Sequence, residues 1–257
     1  MRIINWNISY IGDTIHKIEF LKTLITSDCC VILQEVKPRA YEHIKSAFGD
    51  DWKIFYSLDF RKPGKYDSNA RKLGVLIMIS KDWTVNQAGV IERSPFPDRT
   101  LYITIHRDSK KIKVLALHSL TGCDYYKTKS VQFESFAEFV DEYCPDIVGM
   151  DANEPQVDHY DVSRMVFYDN KGSGASAFFN ELVSVGLQDS YVAFNNIKHL
   201  EEGVPVVKSH NIRGKGAVRY DFVFTNGSYK IEKCCYYFEE AIEAGSDHAI
   251  IITDINN

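Results

Sequence analysis

An α/β fold is what the sequence predicts, on three observations. Short apolar runs such as Val31-Ile32-Leu33, Val114-Leu115-Ala116-Leu117 and Ile147-Val148 break off at polar side chains, the pattern of buried strands delivering residues to a sheet edge. Stretches between several of them carry apolar side chains at helical spacing, so strand, helix and strand follow one another. No Pro/Gly/Ser-rich linker or low-complexity tract interrupts the 257 residues, and a single domain over 1–257 is expected.

Composition bounds the rest. With 45% hydrophobic and 25% charged residues the chain can build a sizeable core. A net charge of -5 excludes a generally basic coat, so a polyanion must be met by local basic patches or a bridging cation. No apolar run approaches the roughly 18 residues of a membrane span, and a strand pattern begins at once at Arg2, which together imply a cytoplasmic protein without membrane contact. The six cysteines, at 29, 30, 123, 144, 234 and 235, lack Cys-x-x-Cys spacing and read as free thiols.

In chain order, residues 2–8 form a strand on which Asn5 and Asn7 share one face and Trp6 takes the other. Ile15, Ile18, Leu21, Leu24 and Ile25 give a helix to about residue 27, facing inward. A strand over 30–36 ends on Glu35, a carboxylate that needs a partner or water after so apolar a run. A helix over 39–48 and a short strand over 53–56 precede a basic loop from Arg61 to Lys72, including Arg71, which suits either a phosphate-contacting rim or plain solvation. Strands over 73–80, 101–106 and 111–118 follow, the last ending in His118. The helix over 126–143 turns Val131, Phe133, Phe136, Phe139 and Val140 inward.

Mid-chain, Ile147-Val148-Gly149-Met150-Asp151-Ala152-Asn153 delivers an Asp and an Asn, two apart, onto a loop, with Gly149 and Pro155 bracketing a turn. Alone, that motif is an ordinary turn whose side chains bond their own backbone. The glycines of 172–174 resemble a phosphate loop but lack its Gly-Lys-Ser/Thr ending, and read as a turn before a helix near 177–185. A second basic loop, 208–216, carries Arg213 and Lys215 and precedes the strand 219–224 with Asp221. A strand over 229–238, a short helix, and Asp247-His248 opening a strand over 249–253 complete the chain.

Asn7, Glu35, His118, Asp151, Asn153, Asp221, Asp247 and His248 thus all stand at or near strand ends. In this order and these contexts (Trp6-Asn7, Leu33-Gln34-Glu35-Val36, Asp151-x-Asn153, Arg219-Tyr220-Asp221-Phe222 and Ser246-Asp247-His248) the sequence resembles the exonuclease-endonuclease-phosphatase superfamily, to which deoxyribonuclease I belongs. The resemblance runs from residue 3 to residue 253. It implies a four-layer αββα sandwich, two packed mixed sheets flanked by helices, and metal-assisted phosphoester hydrolysis. It further implies that Glu35, Asn7 and Asp247 bind Mg²⁺, with Mn²⁺ as a substitute, since hard oxygen donors suit those ions. Asp151, held by Asn153, would orient or deprotonate the attacking water. His248, paired with Asp221, would face the phosphoryl oxygens, and His118 would serve as a second phosphate contact or a leaving-group acid.

Departures bear on substrate. Ser9 stands where abasic-site endonucleases carry Asp, His118 where they carry Tyr, and Val218 where they carry Trp, which argues against an abasic pocket; Met150 replaces the usual Gly before Asp151. The expectation is a metal-dependent phosphodiesterase and nuclease of this superfamily. Its substrate would be nucleic acid, DNA ahead of RNA, with Arg213, Lys215 and Arg71 binding it. The alternative is a phosphatase or phosphodiesterase for a small phosphoester.

Overall fold

The computed structural model describes all residues except 169–173, 202, 213, 215 and 257, and for 69, 70 and 122–126 the backbone alone. Its strands are β1 (Arg2–Asn7), β2 (Cys29–Val36), β3 (Trp52–Tyr56), β4 (Gly74–Ser80), β5 (Thr84–Gly89), β6 (Thr100–Arg107), β7 (Lys110–His118), β8 (Ile147–Asp151), β9 (Leu187–Asp189), β10 (His210–Ile212), β11 (Gly216–Val218), β12 (Asp221–Asn226), β13 (Lys230–Tyr237) and β14 (Ile250–Asn256). Its helices are α1 (Thr14–Leu24), α2 (Pro38–Phe48), α3 (Ser57–Phe60), α4 (Gly122–Tyr143), α5 (Gly174–Ser184), α6 (Ser190–Asn195) and α7 (Phe238–Glu243).

Two six-stranded sheets, ordered β13-β14-β1-β2-β4-β3 and β5-β6-β7-β8-β12-β9, pack face to face, and β10-β11 form a separate hairpin. Each sheet has one parallel pair at its centre, β1 with β2 and β7 with β8, and the other pairs are antiparallel. A parallel pair needs a crossover, supplied by α1 in one sheet and α4 in the other. The carboxyl ends of these central strands carry Asn7, Glu35, His118 and Asp151, and strand carboxyl ends are where ligands bind in α/β sheets.

Strand alternation builds the layers. Ile3, Ile32, Ile77, Ile103, Ala116 and Ile251 are buried between the sheets. Their neighbours Ile4, Trp6 and Leu33 face outward under Ile18 and Leu21 of α1 and Ile44 of α2. On the far side, Leu115, Met150 and Phe222 pack under Phe133 and Phe136 of α4 and Phe178 of α5. Full burial of such side chains is worth about 1.5–3 kcal/mol each, which is why both outer faces must be covered. The result is the four-layer αββα sandwich that the family resemblance implied.

Several expectations are corrected. Gly149 does not bracket a turn but lies inside β8, where a Cβ would stand 2.6 Å from Ile32 Cδ1 and 2.7 Å from Asn5 Oδ1. Only glycine lets the sheets approach there. Ile15 and Val131, expected inward, are 55% and 50% exposed, and Lys17 takes an inward place on α1 instead. The basic loop 208–216 contains the hairpin strand His210–Ile212, and β5, β9 and α6 went unrecognised because they are short or lack apolar alternation. Of the glycine turn, 172 and 173 lie outside the described residues, and Gly174 opens α5. Cys29, Cys30, Cys144, Cys234 and Cys235 are free thiols, and Cys123 lies outside the described side chains. Among the described residues no helix is long and apolar enough to cross a membrane.

Candidate active site

Pairing register assembles the centre. In the second sheet His118 of β7 pairs with Asp151 of β8, and Asp151 pairs with Asp221 of β12, so three strand ends present a row of polar side chains. In the first sheet Asn7 ends β1, and the β2–β4 pairing shifts between Leu33 and Val36, where Glu35 takes a left-handed φ of 58°. Such an irregularity re-aims a strand-end side chain. The sheets are pinned together just below the row, where Asn5 Nδ2 donates to Met150 O at 3.2 Å and Gln34 Nε2 donates to Asn5 Oδ1 at 2.7 Å.

Asp151 is fully buried, and both of its oxygens are held. Asn7 Nδ2 donates to Oδ2 at 2.8 Å and the Asn153 backbone N–H donates to Oδ1 at 3.0 Å. Asn153 keeps a left-handed φ of 48° while its own Nδ2 donates to Ser119 O at 3.2 Å. Burial, aided by the neighbouring Asp221 charge, raises the Asp151 pKa above the ordinary carboxylate value, against the opposing pull of His248 and Asn7. A carboxylate with enhanced proton affinity is suited to take a proton from water.

His248 faces Asp151 from the β14 side. Burial opposes its cation, but Asp221, whose Oδ2 accepts from Nδ1 at 2.9 Å, and Asp151 outweigh burial and push the pKa up to about 10. His248 is therefore an imidazolium at neutral pH. His118 behaves oppositely. Burial and the Arg99 guanidinium, whose NH1 stands 2.9 and 3.0 Å from the two ring nitrogens, hold its pKa well below the usual range. It meets Asp151 Oδ2 and Glu35 Oε1 at 3.7 Å each as a neutral ring, which suits a hydrogen-bond contact and does not suit the leaving-group acid also expected of it.

Of the oxygen donors expected to hold a metal, Glu35 stands beside His118 and Asp247 beside His248. Glu35 accepts the Tyr10 N–H at 3.0 Å, and Asn7 Oδ1 accepts the Ser9 N–H at 2.9 Å. Asp247 is exposed, its backbone carbonyl accepting from His210 Nδ1 at 2.8 Å. Among the described residues two groups bring ligand-type atoms within 4.8 Å of one another, Asp151 with Asp221 and His248, and His210 with Asp247 and His248. His248, already bound to Asp221 and cationic, is a poor ligand in either. Glu35, Asn7 and Asp247 offer side-chain oxygens, the donor type a hard cation takes, and the one described ion-pair contact of Glu35 is with neutral His118.

Several residues here were not expected in the site, although Ser246 stands in the Ser246-Asp247-His248 motif. Ser209 Oγ accepts the N–H groups of Tyr220 and Asp221, and Ser246 Oγ donates to Asn7 O at 2.6 Å. Lys129 of α4 donates to Asn153 O at 2.7 Å and pairs with buried Glu154 at 2.8 Å. His210 stacks on His248 with centroids 4.3 Å apart. Serines and a lone His in a basic stretch are too common for spacing to single them out. Of the expected substrate contacts, Arg213 and Lys215 lie outside the described residues. Arg71 is engaged elsewhere: it pairs with buried Asp98 at 2.9 Å and lies over the Phe96 ring.

Two stacked six-stranded mixed sheets, each with a central parallel pair and covered by helices, form a deoxyribonuclease I-like four-layer sandwich, and solved structures share that fold. The human Nocturnin catalytic domain with bound sulfate superposes at a TM-score of 0.70 with 11% identity, covering 100% of this chain and 93% of that one. The Neisseria 3' phosphatase NExo, bound to a product DNA hairpin, matches at 0.69 with 18% identity over 100% of both chains. D. rerio TDP2 with a single-strand DNA product matches at 0.67 with 14% identity, over 100% of this chain and 99% of that one. No protein-family model matches the sequence, and neither does any curated protein.

Proposed function

We propose that the chain is a divalent-cation-dependent phosphodiesterase that hydrolyses a polynucleotide, DNA ahead of RNA. The observation that carries the reading is the buried Asp151 set between neutral His118 and the Asp221-bound cation of His248 at one row of strand ends. Phosphodiester hydrolysis needs an oriented nucleophile and compensation of charge on the phosphoryl oxygens. Asp151, fixed by Asn7 and Asn153, orients a water and accepts its proton. His248 presents a fixed positive charge to the phosphoryl oxygens, and His118 donates a neutral N–H beside it. Mg²⁺ or Mn²⁺ held by Glu35, Asn7 and Asp247 would supply Lewis-acid stabilisation of the phosphate.

The DNA-bound forms of NExo and TDP2 support a polynucleotide substrate. A second reading, a small phosphoester, is favoured by the pairing of Arg71 with Asp98, which removes one expected phosphate contact, and by the net charge of -5. Incubation with Mg²⁺ or Mn²⁺ and labelled duplex, single-stranded and abasic DNA, RNA and small phosphodiesters separates the two. Cleavage of DNA that EDTA abolishes is the expected result. Cleavage restricted to small esters supports the second reading, and full activity in EDTA overturns the metal role.

A further inference from the structure

Lys17 lies outside the chemistry described above, yet it is buried in the middle of the segments that deliver it. It is 2% exposed, on the face of α1 that was expected to carry only apolar side chains. Its Nζ donates to Ser9 O at 2.8 Å and also to Ile11 O, two carbonyls that flank Tyr10. Among the described residues no carboxylate forms an ion pair with it. The carbonyls belong to the loop joining β1 to α1, whose Ser9 N–H holds Asn7 and whose Tyr10 N–H holds Glu35. Ser9 keeps a left-handed φ of 49°, a conformation that a non-glycine residue adopts at a cost unless its surroundings impose it.

The same side chain touches the segment that carries Asp247 and His248. A Cβ built on Gly12 would stand 3.7 Å from Lys17 Nζ and 3.5 Å from Gly245 O, and one built on Gly245 would stand 3.6 Å from Lys17 Cε. Both glycines have positive φ, 87° and 95°, so two tight turns close around one ammonium. Ser246, the next residue, donates from Oγ to Asn7 O, and His16 ties the same helix to Glu243 O at 3.3 Å.

We propose that Lys17 is a positioning residue of the candidate metal centre: its ammonium, clasping the Ser9 and Ile11 carbonyls, holds the β1–α1 loop so that the Ser9 and Tyr10 N–H groups fix Asn7 and Glu35. This rests on the reading of Glu35, Asn7 and Asp247 as cation ligands. A buried hydrogen-bonded cation is costly to leave unpaired and persists where its hydrogen bonds organise the backbone.

Two effects of removing Lys17 oppose each other, and they make the role testable. Loss of a nearby positive charge favours binding of a divalent cation, whereas loss of the clasp loosens its ligands. The experiment is Mn²⁺ binding, read from the electron paramagnetic resonance signal of free Mn²⁺, for wild type, Lys17→Met, Lys17→Gln and Lys17→Arg, with thermal unfolding of each. Lys17→Met is expected to bind Mn²⁺ at least tenfold more weakly. Lys17→Arg, which retains charged donors, recovers most of the affinity, and Lys17→Gln falls between. Equal or tighter binding by Lys17→Met overturns the proposal, as does weak binding that Lys17→Arg fails to improve. If Lys17→Met does not fold, wild-type affinity in Lys17→Gln overturns it equally. A wild-type protein that binds no Mn²⁺ overturns the metal centre and the role of Lys17 together, whereas wild-type binding with unaffected variants overturns only the latter.

Discussion

His118, which ends β7, and His248, two residues before β14, are both buried and both stand near Asp151, yet their charges differ. His118 has the Arg99 guanidinium against its ring, and His248 has Asp221. Burial disfavours the cation at both places; at His118 the Arg99 charge adds to it, and at His248 the Asp221 and Asp151 carboxylates outweigh it: neutral His118, cationic His248. Two imidazoles in one site can therefore do different work, one as a neutral hydrogen-bond donor and the other as a fixed charge. The side chain that sets each role never needs to touch substrate.

Removing the group between them should have the largest effect. Asp151→Asn keeps the shape of the site but not the base, and turnover of labelled DNA with Mg²⁺ is expected to fall about 10³-fold, within the range for loss of a positioned base. Retention of activity within tenfold would falsify the assignment.

The next largest effect follows from breaking the cationic half. Asp221→Asn and His248→Ala are each expected to lower turnover about 10²-fold, and the double variant no further, because residues acting as a unit are not additive. A double variant much slower than either single one would show independent roles. Linkage supplies a second readout. The folded pKa of His248, about 10, lies above its ordinary 6.5, so the pair contributes its full stability below about pH 6.5 and loses it as pH rises through 10. Thermal unfolding should therefore show stability declining between pH 7 and 10, and Asp221→Asn should flatten the decline.

The neutral half should matter less. His118→Gln keeps an N–H donor and is expected to cost about tenfold in turnover, at the low end for a hydrogen bond in a polar site. Arg99→Met should raise the His118 pKa, visible in the imidazole resonances during an NMR titration, and an unmoved resonance would remove Arg99 as the cause. The smallest effect on activity is expected from Arg71→Ala. That side chain neutralises buried Asp98, so its loss should lower the melting temperature while DNA cleavage stays within about twofold, surface-remote losses acting through stability alone. A large rise in KM with an unchanged melting temperature would return Arg71 to substrate binding.

Much of the fold was legible because strand and helix periods are local. The runs ending at Asn7, Glu35, His118 and Asp151 announce buried strands with polar ends, and they are central strands in both sheets. Elements without a strong local period were not legible. β5 is largely exposed and polar, β9 has three residues, and the hairpin of β10 and β11 reads as a basic loop because its side chains do not alternate. The inward place of Lys17 contradicts the apolar stripe of α1, since its position is imposed by carbonyls of the preceding loop.

The sequence alone determined the central strands, the longer helices and the residue types at the strand ends, because hydrophobic periods of 2 and 3.6 are local, while the layer order was what the family resemblance implied. It also carried the set of Asn7, Glu35, His118, Asp151, Asp221, Asp247 and His248 in the order of a known family. Only the tertiary structure decided which carboxylate meets which imidazole, that burial and Arg99 hold His118 neutral, that Arg71 is committed to Asp98, and that Lys17 sits beneath Ser9 and Ile11. Those are pairings between residues far apart in the chain, fixed by sheet register and by the approach of two sheets at Gly149. A charge state depends on what stands within a few ångströms, and local pattern does not contain that information.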